Sequence, residues 1–184
     1  MFHRFGLMPA FILMATLALT ACGGEKIEVE RTSVLGTAPQ NANFVLITAT
    51  GQERARDFGK YADQITGQMT AHGFRKVEDA AQARYALMFS YDGDGLERAS
   101  DDRHRTINEK KKKEDKVERT MTIILYDLTR PRMVDETVFG GYAQCAVDSA
   151  RRDPTVIPLM IDAIMKDFPG DGRETYTASL PSFK

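Results

Sequence analysis

Apolar side chains from residue 44 onward follow two rhythms, one alternating and one recurring every three or four positions, and together they predict the order of elements. Phe44-Val45-Leu46-Ile47 is a short run of strand type closed by Thr48 to Gly51. Phe58, Tyr61, Ala62, Ile65 and Met69 then share one helical face, with Gly73 placed to cap its carboxyl end. Glu53, Arg54, Arg56, Lys60 and Asp63 occupy the other face, which reads as solvated. After a short extended piece, Phe74 to Val77, the chain alternates cleanly. Tyr85, Leu87, Phe89 and Tyr91 fall on one side of a strand, and Ala86, Met88 and Ser90 on the other. Asp92-Gly93-Asp94-Gly95 ends it by turn chemistry.

Glu97 to Arg119 breaks both rhythms, with nine Lys+Arg, seven Asp+Glu and only Ile107 and Val117 as sizeable aliphatics in 23 residues. Thr120 to Tyr126 is again a strand, Asp127 to Arg132 with Pro131 a turn, and Met133 to Tyr142 a third strand with a bulge or bend expected at Gly140-Gly141. Ile157, Met160, Ile161, Ile164, Met165 and Phe168 form the stripe of a closing helix over Asp153 to Phe168. With Thr155 as its cap, Pro158 falls in the first turn, where a missing amide hydrogen costs little. Pro169-Gly170 stops it. This order predicts an α+β fold: a two-layer sandwich with a mainly antiparallel sheet and two helices packed on one face. There is no internal repeat.

The first 22 residues change the picture. Arg4 precedes an uncharged run of 17 residues, Phe5 to Ala21, and then Cys22. The run is shorter than the about 20 residues a spanning helix needs and carries Gly6 and Pro9, so it reads as a signal peptide. Leu19-Thr20-Ala21-Cys22 resembles the lipobox of bacterial lipoproteins. That resemblance implies cleavage after Ala21 and attachment of a diacylglyceryl group to Cys22, followed by acylation of the new amino terminus. The competing reading is an ordinary secreted protein with a coincidental cysteine. Two or more acyl chains give lasting membrane attachment where one is marginal. Gly23 and Gly24, rather than an acid, follow the cysteine; the resemblance then implies the outer membrane, facing the periplasm, more than the inner one. The expected plan is a signal peptide (1–21), a lipid-anchored tether (22–42), an α+β domain (43–170) with a charged excursion (97–119), and a polar tail (171–184).

The whole chain of 184 residues balances 25 Lys+Arg against 26 Asp+Glu. Residues 1–21 hold one Arg and no acid, so residues 22–184 carry 24 against 26, or −2. That balance argues against nucleic acid as a partner. Of two cysteines, acylation of Cys22 leaves only Cys145, so no internal disulfide forms. Cys145 is expected to be a small buried hydrophobe near a strand end, the alternative being a reactive thiol.

Phe44 to Gly170 resembles the DUF4136 family of bacterial envelope lipoproteins. The resemblance rests on AHGFRKVEDAAQARYALMFSY, MTIILYDLTRPRMVDETVFGG and IDAIMKDFPG. These are packing and turn patterns, so they imply fold and envelope location and no reaction. The chain departs from the family in having no Trp and in the length of its charged stretch.

Candidate chemistry is sparse. His72 sits beside the capping Gly73, where a histidine suits the carbonyl end of a helix dipole. His104 has Asp101 and Asp102 nearby, but Arg103 and Arg105 flank it and disfavour a cation. Asp92 to Gly95 hints at a calcium loop, but the twelfth position is Arg103 rather than a bidentate Glu. Phosphate-loop, nucleophile-elbow and paired-cysteine motifs are all missing. Adjacent acids at Asp101-Asp102, Glu114-Asp115 and Asp135-Glu136 sit in polar runs, without the pocket a glycosidase needs. Lys110, Lys111, Lys112 and Lys113 form the sharpest feature, a candidate contact for anionic lipid or envelope polymer, partly offset by Glu109, Glu114 and Asp115.

The expected function is a non-enzymatic accessory or binding module of the cell envelope. It would be held to the membrane through the Cys22 lipid, use no cofactor or metal, and have an envelope protein as partner. The alternatives are an envelope hydrolase whose site assembles only in the fold, and a sensor of anionic lipid or polymer acting through Lys110 to Lys113.

Overall fold

In the computed structural model of the protein, the residues described are 26–37, 39, 42–48, 57–91, 116–130, 137–148 and 153–181. The elements in chain order are β1 (Lys26–Ser33), β2 (Ala42–Thr48), α1 (Phe58–Ala71), β3 (Phe74–Lys76), a short 3-10 turn (Ala80–Gln82), β4 (Tyr85–Tyr91), β5 (Lys116–Asp127), β6 (Thr137–Asp148), α2 (Asp153–Met165) and β7 (Gly172–Ser179). The seven strands form one sheet in the order β3-β2-β4-β5-β6-β1-β7. Only β2 pairs in parallel, with β3 and β4; the other pairings are antiparallel. The fold is α+β with a mostly antiparallel sheet.

One face of the sheet is buried. Leu87, Phe89, Met121, Ile123, Leu125, Phe139, Ala143 and Val147 point to that side and are almost fully shielded. Against them α1 lays Tyr61, Ile65 and Met69, and α2 lays Val156, Ile157, Met160, Ile161 and Ile164. Phe58 stacks on Phe89 at 4.7 Å between ring centroids, and Tyr61 meets Tyr91 edge-on at 4.9 Å. Burial of each such side chain stabilises the fold by about 1.5–3 kcal/mol. The two helices are joined by Gln64 Nε2, which donates to the Pro158 carbonyl at 3.1 Å and to Asp162 Oδ1 at 2.8 Å, and by Gln68 Nε2, which donates to the same oxygen at 2.7 Å.

Several expectations change. Residues 26–33, expected within the tether, form β1, which pairs with β6 and β7. Residues 172–179, expected within the tail, form β7. Residues 116–119, expected within the charged excursion, open β5 in register with Asp148 to Cys145. Gly140-Gly141 is no bulge: both pair in register with Ile124 and Ile123, and the irregularity lies between Leu125 and Tyr126. Gly141 serves close packing instead, since a Cβ there would overlap Ile164 Cγ2. Pro158 lies inside α2, which begins at Asp153, rather than in its first turn. Its ring removes one donor to the ladder, and its own carbonyl gains Gln64.

α1, β3 and β4 stand where the periodicity puts them, and the strands of the β4-β5-β6 core pair antiparallel as expected. Gly73 adopts φ 86° just after α1, the left-handed conformation that a glycine accepts without strain.

Candidate functional site

Strand register defines two ends of the sheet. At one, Lys26 of β1 stands opposite Ser179 of β7, and Lys116 of β5 opposite Asp148 of β6. At the other, Asp127 closes β5 opposite Tyr85 of β4. A pocket of about 170 Å³ opens at this second end, with Leu35 and Pro39 from the β1–β2 connection on one side and Arg84, Tyr85, Asp127 and Arg130 on the other.

Asp127 organises the pocket. As the last residue of β5 it begins a turn in which its side chain binds the backbone two residues on, the usual Asx geometry. Oδ1 accepts from the Thr129 amide at 3.0 Å and its hydroxyl at 2.6 Å. Oδ2 accepts from Arg84 Nη2 at 3.2 Å, with Arg130 Nε 4.0 Å away. Backbone bonds hold the frame: the Leu128 amide donates to the Arg84 carbonyl at 2.8 Å, and the Arg84 amide to the Asn43 carbonyl at 3.0 Å. The Arg84 guanidinium also lies 5.0 Å from the centre of the Tyr85 ring, within cation–π range.

Asp127 is buried at 3% exposure. Burial alone would raise its carboxyl, but the Thr129 hydroxyl and amide and the Arg84 guanidinium outweigh it and hold the group below its ordinary value. Burial pushes the Tyr85 phenol up; Arg84 opposes, Asp127 adds, and Arg130 opposes. At neutral pH the pair is therefore a carboxylate and a protonated phenol. Neither is poised to exchange a proton there.

A second polar cluster sits on the buried face near the sheet's far edge. Arg31 of β1 is 4% exposed, and its Nη2 donates to Glu174 Oε2 of β7 at 2.5 Å. Arg31 Nη1 has no hydrogen-bond partner among the described residues. Tyr176 is flanked by the guanidinium at 5.9 Å and Lys166 Nζ at 5.7 Å, and its hydroxyl donates to the Ala163 carbonyl of α2. Burial raises its phenol above the ordinary value, with Arg31 opposing and Asp167 and Glu174 adding.

Among residues singled out from the sequence, Ala21, Cys22, His104, Lys110 to Lys113, Asp92 to Gly95, and the paired acids Asp101-Asp102, Glu114-Asp115 and Asp135-Glu136 lie outside the described residues. His72 caps α1 through its amide, which donates to the Gln68 and Met69 carbonyls, and its ring meets Phe168 edge-on at 5.5 Å. Cys145 is buried within β6 at 3% exposure, its Sγ 4.0 Å from Met160 Sδ. Among the described residues no group of three or more His, Cys, Asp and Glu could hold a metal ion, and no helix is long and apolar enough to cross a membrane.

Sequence reasoning read Asp127 only as a turn residue. The available signal was Asp-Leu-Thr-Arg at a strand's end, with an arginine, Arg84, immediately before the neighbouring strand.

No known family's sequence profile matches the chain, and no curated protein matches it in sequence. Solved structures are similar in chain path. A PelC dodecamer from Paraburkholderia phytofirmans is similar at 16% identity over 76% of this chain and 95% of that one, with a TM-score of 0.45. A PDZ domain protein from Parabacteroides distasonis ATCC 8503 is similar at 12% identity over 85% of this chain and 40% of that one, with a TM-score of 0.47. A DUF4136 family protein from Bacteroides thetaiotaomicron VPI-5482 is similar at 9% identity over 79% of this chain and 94% of that one, with a TM-score of 0.43.

Proposed function

We propose that this is a lipid-anchored protein of the cell envelope, a two-layer α+β domain that serves as a non-enzymatic accessory or binding module on the periplasmic side of the outer membrane. The observation that carries the reading is the placement of Leu19-Thr20-Ala21-Cys22 at the end of the 17-residue uncharged run. A lipobox cysteine there receives lipid, and the leader before it is removed.

The state of the Asp127 pocket disfavours hydrolysis by a paired acid and base at that place. Hydrolysis by a paired carboxyl acid and base near neutral pH keeps one acid protonated by raising its pKa, beside a second group able to act as base. Here the buried carboxyl is shifted down and its neighbouring phenol up, so both move away from neutrality. Asp127 also already accepts three hydrogen bonds, which suits a fixed structural charge.

Fractionation of cells expressing the wild type and Cys22→Ser, followed by mild extraction and affinity capture, tests the reading. The wild type is expected in the outer-membrane fraction with an envelope protein co-recovered in fixed ratio, and Cys22→Ser in the soluble periplasm. A turnover that Asp127→Asn abolishes without loss of fold would overturn the non-enzymatic assignment.

A further inference from the structure

β1 starts only four residues after Cys22. A chain reaches at most about 3.6 Å per residue, so the Cα of Lys26 lies within about 14 Å of that of Cys22. The head-group layer takes up about 5–7 Å of that reach. Where a tether of some 20 residues would let the domain drift far from the bilayer, this one holds a particular part of the sheet close to it.

Register identifies that part. Lys26 pairs with Ser179 at the last residue of β7. Glu28 pairs with Gln144 of β6, so β6 ends, at Asp148, on the same side. Lys116 of β5 stands opposite Asp148; two inter-strand spacings, about 10 Å in all, separate β5 from β1. Asp127 closes β5 at its other end, about 36 Å away at the usual rise per strand residue.

Resting on the lipid-anchored reading above, we infer that the protein stands on the membrane by the Lys26–Ser179 end of its sheet, with a lipid surface as the partner of that end. The Asp127–Arg84–Arg130 pocket then faces away from the membrane that holds it. Charge favours this over lying flat on the open face of the sheet. Beside the anchor that face carries Glu28, Glu30 and Glu118 against Lys26 and Arg173, which already pairs with Glu30, so it offers anionic head groups no net positive charge to lie on. A partner from elsewhere in the envelope would therefore meet the pocket end first.

The test uses the full-length lipidated protein in vesicles of phosphatidylethanolamine and phosphatidylglycerol that carry an energy-transfer acceptor on the head groups. A donor dye is placed on Ser179→Cys or on Leu128→Cys, both exposed positions at opposite ends; wild type treated with the dye controls for labelling of the buried Cys145. Transfer from position 179 is expected to be several-fold stronger than from 128. A flexible Gly-Ser insert of about ten residues after Gly24, adding roughly 17 Å, is expected to weaken transfer from 179. Equal transfer from both positions, or stronger transfer from 128, in protein that sediments with the vesicles overturns the orientation and leaves the anchor standing. Protein that does not sediment overturns the anchor, and the orientation with it.

Discussion

The middle of the sheet and its β1–β7 flank both pack under α2, by different means. From Met121 to Leu125, and at Leu87, Phe89, Phe139 and Ala143, the inward positions of β4, β5 and β6 carry only apolar side chains, all within 1% exposure. On β1 the inward row runs Ile27, Val29, Arg31, Ser33, and on β7 Glu174 faces Arg31, Tyr176 faces Val29 and Ala178 faces Ile27. The middle is held by apolar area, which is non-directional and adds with each side chain. The flank is held by partners, the guanidinium–carboxylate pair and the Tyr176 hydroxyl on the Ala163 carbonyl, which require the registered neighbour to be in place. An apolar face can be read from its own strand, while a paired one is complete only when its partner is known.

Substitutions should separate the two, beginning with the middle. Phe168 packs edge-on against Phe139 at 4.9 Å and tilted on Phe74 at 5.6 Å. Phe168→Ala is expected to cost about 3–5 kcal/mol, read as a lower urea midpoint at unchanged slope; a cost near zero would mean that the aromatic cluster is not integral to the core. Gly141→Ala forces a methyl against Ile164 and is expected to cost about 1–3 kcal/mol. The double variant Gly141→Ala with Ile164→Ala, which removes the Cγ2 methyl that the new Cβ would strike, should lose less than the sum of the two single changes if that approach is the cause.

At the polar end of the middle strands, Asp127→Asn is expected to cost about 1–2 kcal/mol at neutral pH, as hydrogen bonds to a charged group are lost. The sign with pH follows from the lowered carboxyl. Its contribution is fully present above the ordinary value of 3.8 and is lost as pH falls through the lower folded value. Wild type and Asp127→Asn should thus converge in strong acid, and a gap that widens there would contradict the assigned ionisation. The smallest effect is expected on the flank. Glu174 is half-exposed, 53% for its side chain, so solvent screens the pair, and Glu174→Gln should cost about 1 kcal/mol or less. Adding Arg31→Met to it should restore part of that loss, because the buried charge goes with its partner.

The same contrast explains what could be read from the chain alone. Strand β4 and helix α1 were legible because each carries its own period: Tyr85, Leu87, Phe89 and Tyr91 for one, Tyr61, Ile65 and Met69 for the other. β1 begins with the right alternation, Ile27 then Val29, but Arg31 and Ser33 occupy its next two inward positions and hide the period behind residues typical of a linker. β7 has one of its two neighbours missing as an edge strand, and only Tyr176 and Ala178 mark its inner side. Arg119 similarly conceals the start of β5, since a buried arginine inside a run of charges looks like one more solvated residue. Pro158 misled in another way: a proline signals where a helix prefers to start, while α2 extends five residues before it because its apolar stripe outweighs one lost hydrogen bond. Of the candidate residues, Cys22 is singled out by a local motif, Leu19 to Cys22, that needs no knowledge of the fold. The Asp127 pocket is not marked in this way, because Arg84 and Asp127 are 43 positions apart and meet only through the pairing of β4 with β5.

The central claim is that lipid on Cys22 fixes this domain to the envelope, and intact mass of the membrane-extracted protein tests it most directly. The account predicts a species that has lost residues 1–21 and gained the mass of diacylglyceryl and acyl groups, with the gain abolished in Cys22→Ser. An unacylated wild-type chain recovered from the soluble fraction would contradict it.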